Sequence, residues 1–411
     1  VKKMCVGDLK VGMFIADSGL SWLEHPNLYA QEGLVTSQEL VDSLVKEGYT
    51  DVFVDPARGT YVFEDDGRTP EQHMADGVLA APERGDWSEA KIMLDRHDAL
   101  RGEMNTARRL YAEAMQNVRM FLDAARDGSM PEIAACEVLV EQVIESLLRS
   151  DDALISLTKL KTFDEYTYTH SINVSVLSVS FGKSLQLPKS TLRLLGLAGL
   201  FHDLGKQRVP QHVLNKPGKL SPEEFEVIKS HPERGYALCA SSGIKDAAVL
   251  RGILEHHEKC NGCGYPAKLT GEAVHLFGRI ISVADVYDAL TSRRVYKGGM
   301  LPNKALSIMY NMRGEDFFPG MVERFIKTVG IYPVGSLVRL SDFSHGVVVA
   351  ANPSLPLLPL VKVAFDERMR PRSQVLVDLA QEKTLQGPRA RKIVDCLDPR
   401  DYKLDVTPLV G

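Results

Sequence analysis

His170, His202, His231, His256 and His257, with Asp203 beside His202 and Asp285 further along, are the residues of this 411-residue chain whose types and spacing could do metal chemistry. They combine imidazole nitrogens with carboxylate oxygens and are spread over several predicted helices. That mixture suits a multinuclear site for Mn, Fe or similar ions. The other six of the eleven histidines are scattered without pattern. The set points to hydrolytic metal chemistry before any fold is assumed.

His202-Asp203 closes an apolar helical stretch, Leu194 to Phe201, and leads into Leu204-Gly205-Lys206. Adjacent side chains on a helix point about 100° apart, so the pair can grip one ion only near a helix end or a bend. A carboxylate has two oxygens, and an Asp at that point can bridge two ions. Lys206, three residues beyond Asp203, places an ammonium on the same face, near where a phosphate would dock. His256-His257-Glu258 is followed by Gly262, Gly264, Tyr265 and Pro266. Two consecutive histidines can serve two ions, and the glycines let the loop fold tightly over a ligand. Asp285 and Asp288 share one face of a helix predicted over Ile280 to Leu290, and Arg293, Arg294 and Lys297 follow as groups able to hold phosphate or guanine edges. Taken singly, each of these is more often a buried histidine, a helix cap or a solvated charge; their company makes the case.

The elements that must carry these residues are mostly helical. Residues 150–332 read as helix after helix, one start being well marked by Ser221 as N-cap, Pro222, and Glu224 completing a capping box. That helix is expected to run towards His231 and Pro232. Residues 88–149 form a helical connector interrupted near Gly128, and 66–87 read as a linker rich in Asp, Gly, Pro and Glu. Residues 1–65 read as a small α+β domain, with a capping box at Thr36-Ser37-Gln38-Glu39 and a strand at Val52-Phe53-Val54. After Pro333, apolar and β-branched runs at Val334 to Leu340, Gly346 to Ala350 and Leu360 to Phe365 predict a β-rich extension over 333–411.

The order His170, His202-Asp203, Gly205-Lys206, His231, His256-His257-Glu258, Gly262-Cys263-Gly264-Tyr265-Pro266, Asp285 resembles the HD-GYP family. This is the subset of HD phosphohydrolases that degrades bacterial cyclic di-GMP. The resemblance covers about residues 150–300. Residues 1–65, with Leu9-Lys10-Val11-Gly12-Met13 and Val52-Phe53-Val54-Asp55, resemble the small domain that often precedes such modules. The implied fold is mainly α: an HD-superfamily helical bundle with a small N-terminal α+β domain and a short β-rich C-terminal tail.

By position the resemblance implies metal ligation by His170, His202, Asp203, His231, His256, His257 and Asp285, with Asp203 bridging. Lys206 and Asp203 take the catalytic roles. Lys206, Tyr265, Arg294 and Lys297 match positions that contact the dinucleotide, with Asp288 supporting them. Some members carry a Glu four residues before the first His and hold three metals; Tyr166 stands there, which favours two. The family's Asp before the first loop glycine is Asn261 here. The implied activity is hydrolysis of cyclic di-GMP to pGpG and onward to GMP by two divalent ions, Fe or Mn first, with Ni and Zn open. Neutral imidazoles must hold them, so activity should fall at acidic pH. Alternatives are a cyclic di-GMP receptor or scaffold without useful turnover, and an HD phosphohydrolase for another cyclic dinucleotide. Partner signalling proteins of the diguanylate cyclase type would dock on the Gly-Tyr-Pro surface.

Composition sets the remaining bounds. A net charge of -5 argues against general nucleic-acid binding. No run is apolar and long enough to span a bilayer and no signal peptide is seen, so the expected compartment is cytoplasmic. The six cysteines lack framework spacing, and Cys260-Asn261-Gly262-Cys263, with no second such pair, reads as two small residues in a loop. Residues 1–65 carry no catalytic set and are expected to regulate or interact. The connector either relays a signal or forms a homodimer; the pattern leaves both open.

Overall fold

The structure, a computed structural model, describes the chain except residues 21–24, 26, 64–68, 81–88, 128–132, 159–165, 215, 217–219, 293–298 and 411. Five short strands open it: β1 (Lys2–Cys5), β2 (Phe14–Ile15), β3 (Leu28–Tyr29), β4 (Gly33–Leu34) and β5 (Asp51–Val54). They form a sheet in the order β1-β5-β2-β4, with β3 lying parallel to β5. Helix α1 (Gln38–Lys46) lays Val41 and Leu44 against Val6, Leu9, Ile15, Val52 and Val54, a small core of its own. The cap differs by one residue from the expectation at Thr36. Ser37 is the N-cap and accepts from the Leu40 N–H, so the position that would complete a box is Leu40, which cannot reach back.

The linker expected over 66–87 is corrected by α2 (Pro70–Ala80). Met74, Ala75 and Val78 are buried and join the main core. A stripe this short among Asp, Gly and Glu makes too weak a period to read. The next two helices, α3 (Glu89–Asp127) and α4 (Ile133–Arg149), are built into the same core. Arg96 pairs with both oxygens of Asp152 at 2.8 and 3.0 Å, Glu103 accepts from Ser146 and Arg149, and Phe121 stacks on Phe201 with ring centres 4.7 Å apart.

Ten helices named here in chain order then follow: α5 (Asp151–Leu157), α6 (Tyr166–Ser184), α7 (Lys189–Phe201), α8 (Gln211–Leu214), α9 (Pro222–Lys229), α10 (His231–Ser241), α11 (Ala247–Glu255), α12 (Leu276–Thr291), α13 (Pro302–Asn311) and α14 (Met321–Val329). Residues 169–182 of α6 are buried on every side, which marks it as the central helix. α7 and α12 pack directly along it. The capping box at Ser221 is present: its hydroxyl accepts from the Glu224 N–H, and the Glu224 carboxylate accepts from the Ser221 N–H. That helix stops at Lys229 instead of running on to His231, because Pro232 cannot donate to it and instead sits in the first turn of α10.

The tail is a five-stranded antiparallel sheet of β6 (Leu337–Leu340), β7 (His345–Ala350), β8 (Leu360–Phe365), β9 (Pro371–Asp378) and β10 (Ile393–Leu397), ordered β10-β6-β7-β8-β9. It is accompanied by α15 (Leu379–Gln386) and α16 (Thr407–Val410). Leu337, Val338, Val347 and Val361 belong to the same apolar cluster as the helices, so the core runs through. Among the described residues no helix is long and apolar enough to cross a membrane.

Candidate metal centre

The seven expected ligand positions come from five places in the fold, three of them helix ends. His170 lies on α6, and Asp285 and Asp288 on α12. His202 is the C-cap of α7; Asp203 leaves the helix at φ −97° and ψ 3°, and a 3₁₀ turn, Leu204–Arg208, follows. His231 opens α10, and His256 caps the C-terminus of α11 with His257 next to it. Helix ends free adjacent side chains from their 100° separation, which is how His202 and Asp203 come to one place.

The donor atoms gather into two groups. Asp203, His231, His256 and His257 each offer one atom within 4.8 Å of the others, and so do His170, His202 and Asp285. Asp203 stands between the groups. Its Oδ2 is 3.4 Å from His202 Nε2 and 3.7 Å from His170 Nε2, while its Oδ1 is 3.3 Å from His231 Nε2 and 3.9 Å from His256 Nε2. Asp285 Oδ1 approaches His170 Nε2 to 3.1 Å.

The imidazoles are oriented from behind. Nδ1 of His202, His231 and His256 each lies 2.7–2.8 Å from a backbone carbonyl three residues earlier: Gly199, Ile228 and Ile253. A carbonyl can only accept, so Nδ1 carries the proton and Nε2 keeps its lone pair facing the centre. His202 Nε2, His257 Nε2 and Asp203 Oδ1 are buried with no hydrogen-bond partner. Three orphaned polar atoms in one buried place, at least two of them acceptors, are expensive unless something meets them, and the donor set therefore fits divalent ions.

Electrostatics agrees. Burial and the neighbouring imidazoles push His256 and His257 well below the usual histidine range, and burial lowers His231, so all three stay neutral. Burial disfavours the Asp203 carboxylate, yet the Lys206 ammonium and His202 hold its pKa well below the ordinary range. At His170 burial opposes charge, but hydrogen bonds to Asp285 and Asp288 outweigh it and hold the pKa up at about 9, so this ring gives up a proton when it takes an ion.

A closed loop stands beside this centre. Glu258, buried behind it, accepts from the Ala267 N–H at 2.6 Å and the Leu269 N–H at 2.9 Å, which ties the loop's two legs together. Tyr265 stacks on His257 with ring centres 4.7 Å apart and donates its N–H to the His257 carbonyl. The Tyr265-Pro266 peptide is cis. Asn261 Oδ1 accepts from the Cys263 N–H, a turn an Asp would make equally well. A Cβ on Gly264 would run into Lys259 N and His257 O, so only glycine fits there.

Comparison with known proteins matches residues 142–319 to the HD domain family. It matches residues 1–136 to a domain of unknown function (DUF3391) and residues 337–404 to a KOW domain associated with HD domain. The chain is similar to the cyclic di-GMP phosphodiesterase PA4108 of Pseudomonas aeruginosa, 37% identical over 93% of this chain and 89% of that protein. It belongs to the HD-GYP branch of the HD domain family. More local likenesses are to the cyclic di-GMP phosphodiesterase response regulator RpfG of Xanthomonas campestris, 41% identical over 35% of this chain and 39% of that one. Another is to the 3'3'-cGAMP-specific phosphodiesterase 1 of Vibrio cholerae, 37% identical over 38% of this chain and 36% of that one.

Lys206 of this HD-GYP chain reaches Asp203 Oδ2 at 2.6 Å and keeps a quarter of its side chain exposed, facing both the centre and solvent. Arg294 and Lys297 lie outside the described residues. Asp288 is corrected: its expected place among the substrate contacts is not where it stands. It is 1% exposed, and its oxygens meet His170 Nδ1 at 2.8 Å, Asn173 Nδ2 at 2.9 Å and Ser292 Oγ at 2.9 Å. It orients His170 as the carbonyls orient His202, His231 and His256. Asn173, and Tyr111 on α3 whose hydroxyl donates to Asn173 Oδ1 at 2.7 Å, are site residues that sequence reasoning missed. The available signal was position 173 itself, a polar amide one turn beyond His170 in an otherwise buried helix.

Proposed function

We propose that this HD-GYP chain hydrolyses cyclic di-GMP to pGpG and onward to GMP. Two divalent ions would be held, one by His170, His202 and Asp285 and one by His231, His256 and His257, with Asp203 shared. The observation that supports this most is the pair of buried donor groups meeting across the two oxygens of Asp203. When bound, such ions supply an acidified water and Lewis acidity towards a phosphoryl oxygen. The chain's own residues do the rest. Carbonyl-bound Nδ1 protons keep each Nε2 available, and the half-buried Lys206 offers an ammonium to the phosphate. Tyr265 walls one side of the centre with its ring against His257. Arg294 and Lys297 are assigned to the outer phosphate or the guanine edges by their place in the sequence. Residues 150–332 would carry the chemistry.

A second reading keeps the reaction and changes the base: the likeness to a Vibrio cholerae protein named for 3'3'-cGAMP favours it. The test is metal content and product analysis on anaerobically purified protein, with Asp203→Ala alongside. Two ions per chain and linear product from cyclic di-GMP, both lost in the variant, are expected. Cutting of the mixed dinucleotide with cyclic di-GMP left intact would move the chain to the second reading. Tight binding of cyclic di-GMP without product would make it a receptor.

A further inference from the structure

A second buried cluster of charge lies where the N-terminal sheet meets the Gly-Tyr-Pro loop. Lys3, on β1, has a side chain only 6% exposed. Its Nζ lies 2.9 Å from Asp316 Oδ1 and 3.0 Å from Glu315 Oε2, with the Asp51 carboxylate of β5 at 3.5 Å. The second oxygen of Asp316 faces Lys259 Nζ at 3.0 Å, and that ammonium also lies 3.2 Å from His25 Nδ1. One buried carboxylate thus joins two ammonium groups, one from the first strand of the chain and one from the loop that begins after His257. The backbone repeats the link: Cys260 N–H donates to the Asp316 carbonyl at 3.2 Å and Asn261 N–H to the Glu315 carbonyl at 2.9 Å.

Two physical points give the cluster direction. A buried ammonium must keep a partner, because an uncompensated buried charge is strongly unfavourable. Lys3 therefore holds residues 315–316 wherever β1 goes. Residues 259–261 hang on 315–316 by two backbone bonds and one ion pair, and Glu258 locks the loop's two legs together. Displacing the first strand would carry this closed loop with it, including Tyr265 stacked on His257. The metal ligands on α6, α7 and α12 are fixed separately by the helical core.

We propose that Lys3 is a positioning residue for the Gly-Tyr-Pro loop, setting through Asp316 and Lys259 where residues 259–265 stand beside the metal centre. This rests on the function proposed above for what the loop does to substrate, and gives the N-terminal domain a direct hold on binding. The test is hydrogen–deuterium exchange on the full chain, comparing wild type with Lys3→Met. Peptides over 259–269 and 314–317 should exchange at least about fivefold faster. Exchange in α6, α7 and α12 and the metal content should stay as in wild type. KM for cyclic di-GMP should rise about as much, with kcat little changed. A Lys3→Met/Lys259→Met double variant should loosen the loop no more than the worse single variant. Loop exchange equal to wild type in both single variants would overturn the proposal. Should Lys3→Met loosen the whole chain, Lys259→Met decides: loosening confined to the loop supports the proposal, and an unchanged loop overturns it. Exchange needs no turnover, so wild-type protein that fails to cut cyclic di-GMP would sink only the proposed function.

Discussion

An imidazole offers one lone pair, and what its far nitrogen holds decides where that pair points. Around this centre the rings of His202, His231 and His256 are fixed by backbone carbonyls three residues earlier, whereas His170 depends on side chains, through Asp288, Asn173 and Tyr111. Removing the amide should therefore act on one donor group alone. Asn173→Ala is expected to weaken metal binding about 10- to 100-fold at the His170 group, with Tyr111→Phe smaller in the same direction. Competition with a chelator measures both, and unchanged affinity in Asn173→Ala would show that Asp288 needs no help. The seven candidate ligands were legible because histidine and aspartate in this order carry their chemistry in their type. Asn173 and Tyr111 were not, since they act through contacts that only folding creates. Asp288 was legible as a member of the face and misread in its task, because sequence shows which face a residue shares and not what buries that face.

Helix ends do the positioning, and their packing leaves little room. The 3₁₀ turn after Asp203 lies so close to α10 that a Cβ on Gly205 would run into the His231 carbonyl and the Gly235 nitrogen. Gly205→Ala should destabilise the chain by about 1–3 kcal/mol or more and disturb Lys206 and His231 together, seen as a lower Tm and weaker metal retention. Ser221→Ala is the contrast. It removes the cap of α9 at about 1 kcal/mol and should leave metal content alone. Elements with strong local signals were readable: the Ser221 box, the strand at 51–54, the runs that became β6 to β8. The weak ones were not. α2 buries too few residues to show a period, and β9, exposed along most of its length, has no alternation to read. The cap at Ser37 was missed by one position because Thr36 and Ser37 are both good caps and only the backbone chooses.

Across the whole molecule, apolar packing runs from α2 to the C-terminal sheet, so the tail is not an appendage. Removing residues 333–411 would uncover Val329, Ile331 and their neighbours, and the shortened chain is expected to aggregate. A soluble truncation with wild-type Tm would contradict that. The charge cluster adds an acid sensitivity. Burial raises the Asp316 pKa, but Lys259, His25 and Lys3 outweigh it and hold it below the usual carboxylate range. A depressed carboxylate contributes stability that is complete above its ordinary range and lost as pH falls through the lowered value. Asp316→Asn should therefore melt below wild type near about pH 7, with the gap narrowing as pH drops below about 4; a constant gap in thermal melts across that range would rule the carboxylate out as its source.

The two family matches that share the helical part end at residue 136 and begin at residue 142, and both positions fall inside α4 (Ile133–Arg149). That helix buries Cys136, Leu139, Val140, Val143, Ile144 and Leu147 as one stripe. A crossover between genes at this seam would join half of that stripe to a foreign half, facing side chains it was never selected to meet. The N-terminal unit and the HD unit are therefore expected to be inherited as a pair, and a chimaera that exchanges either one should keep α4 whole from a single parent.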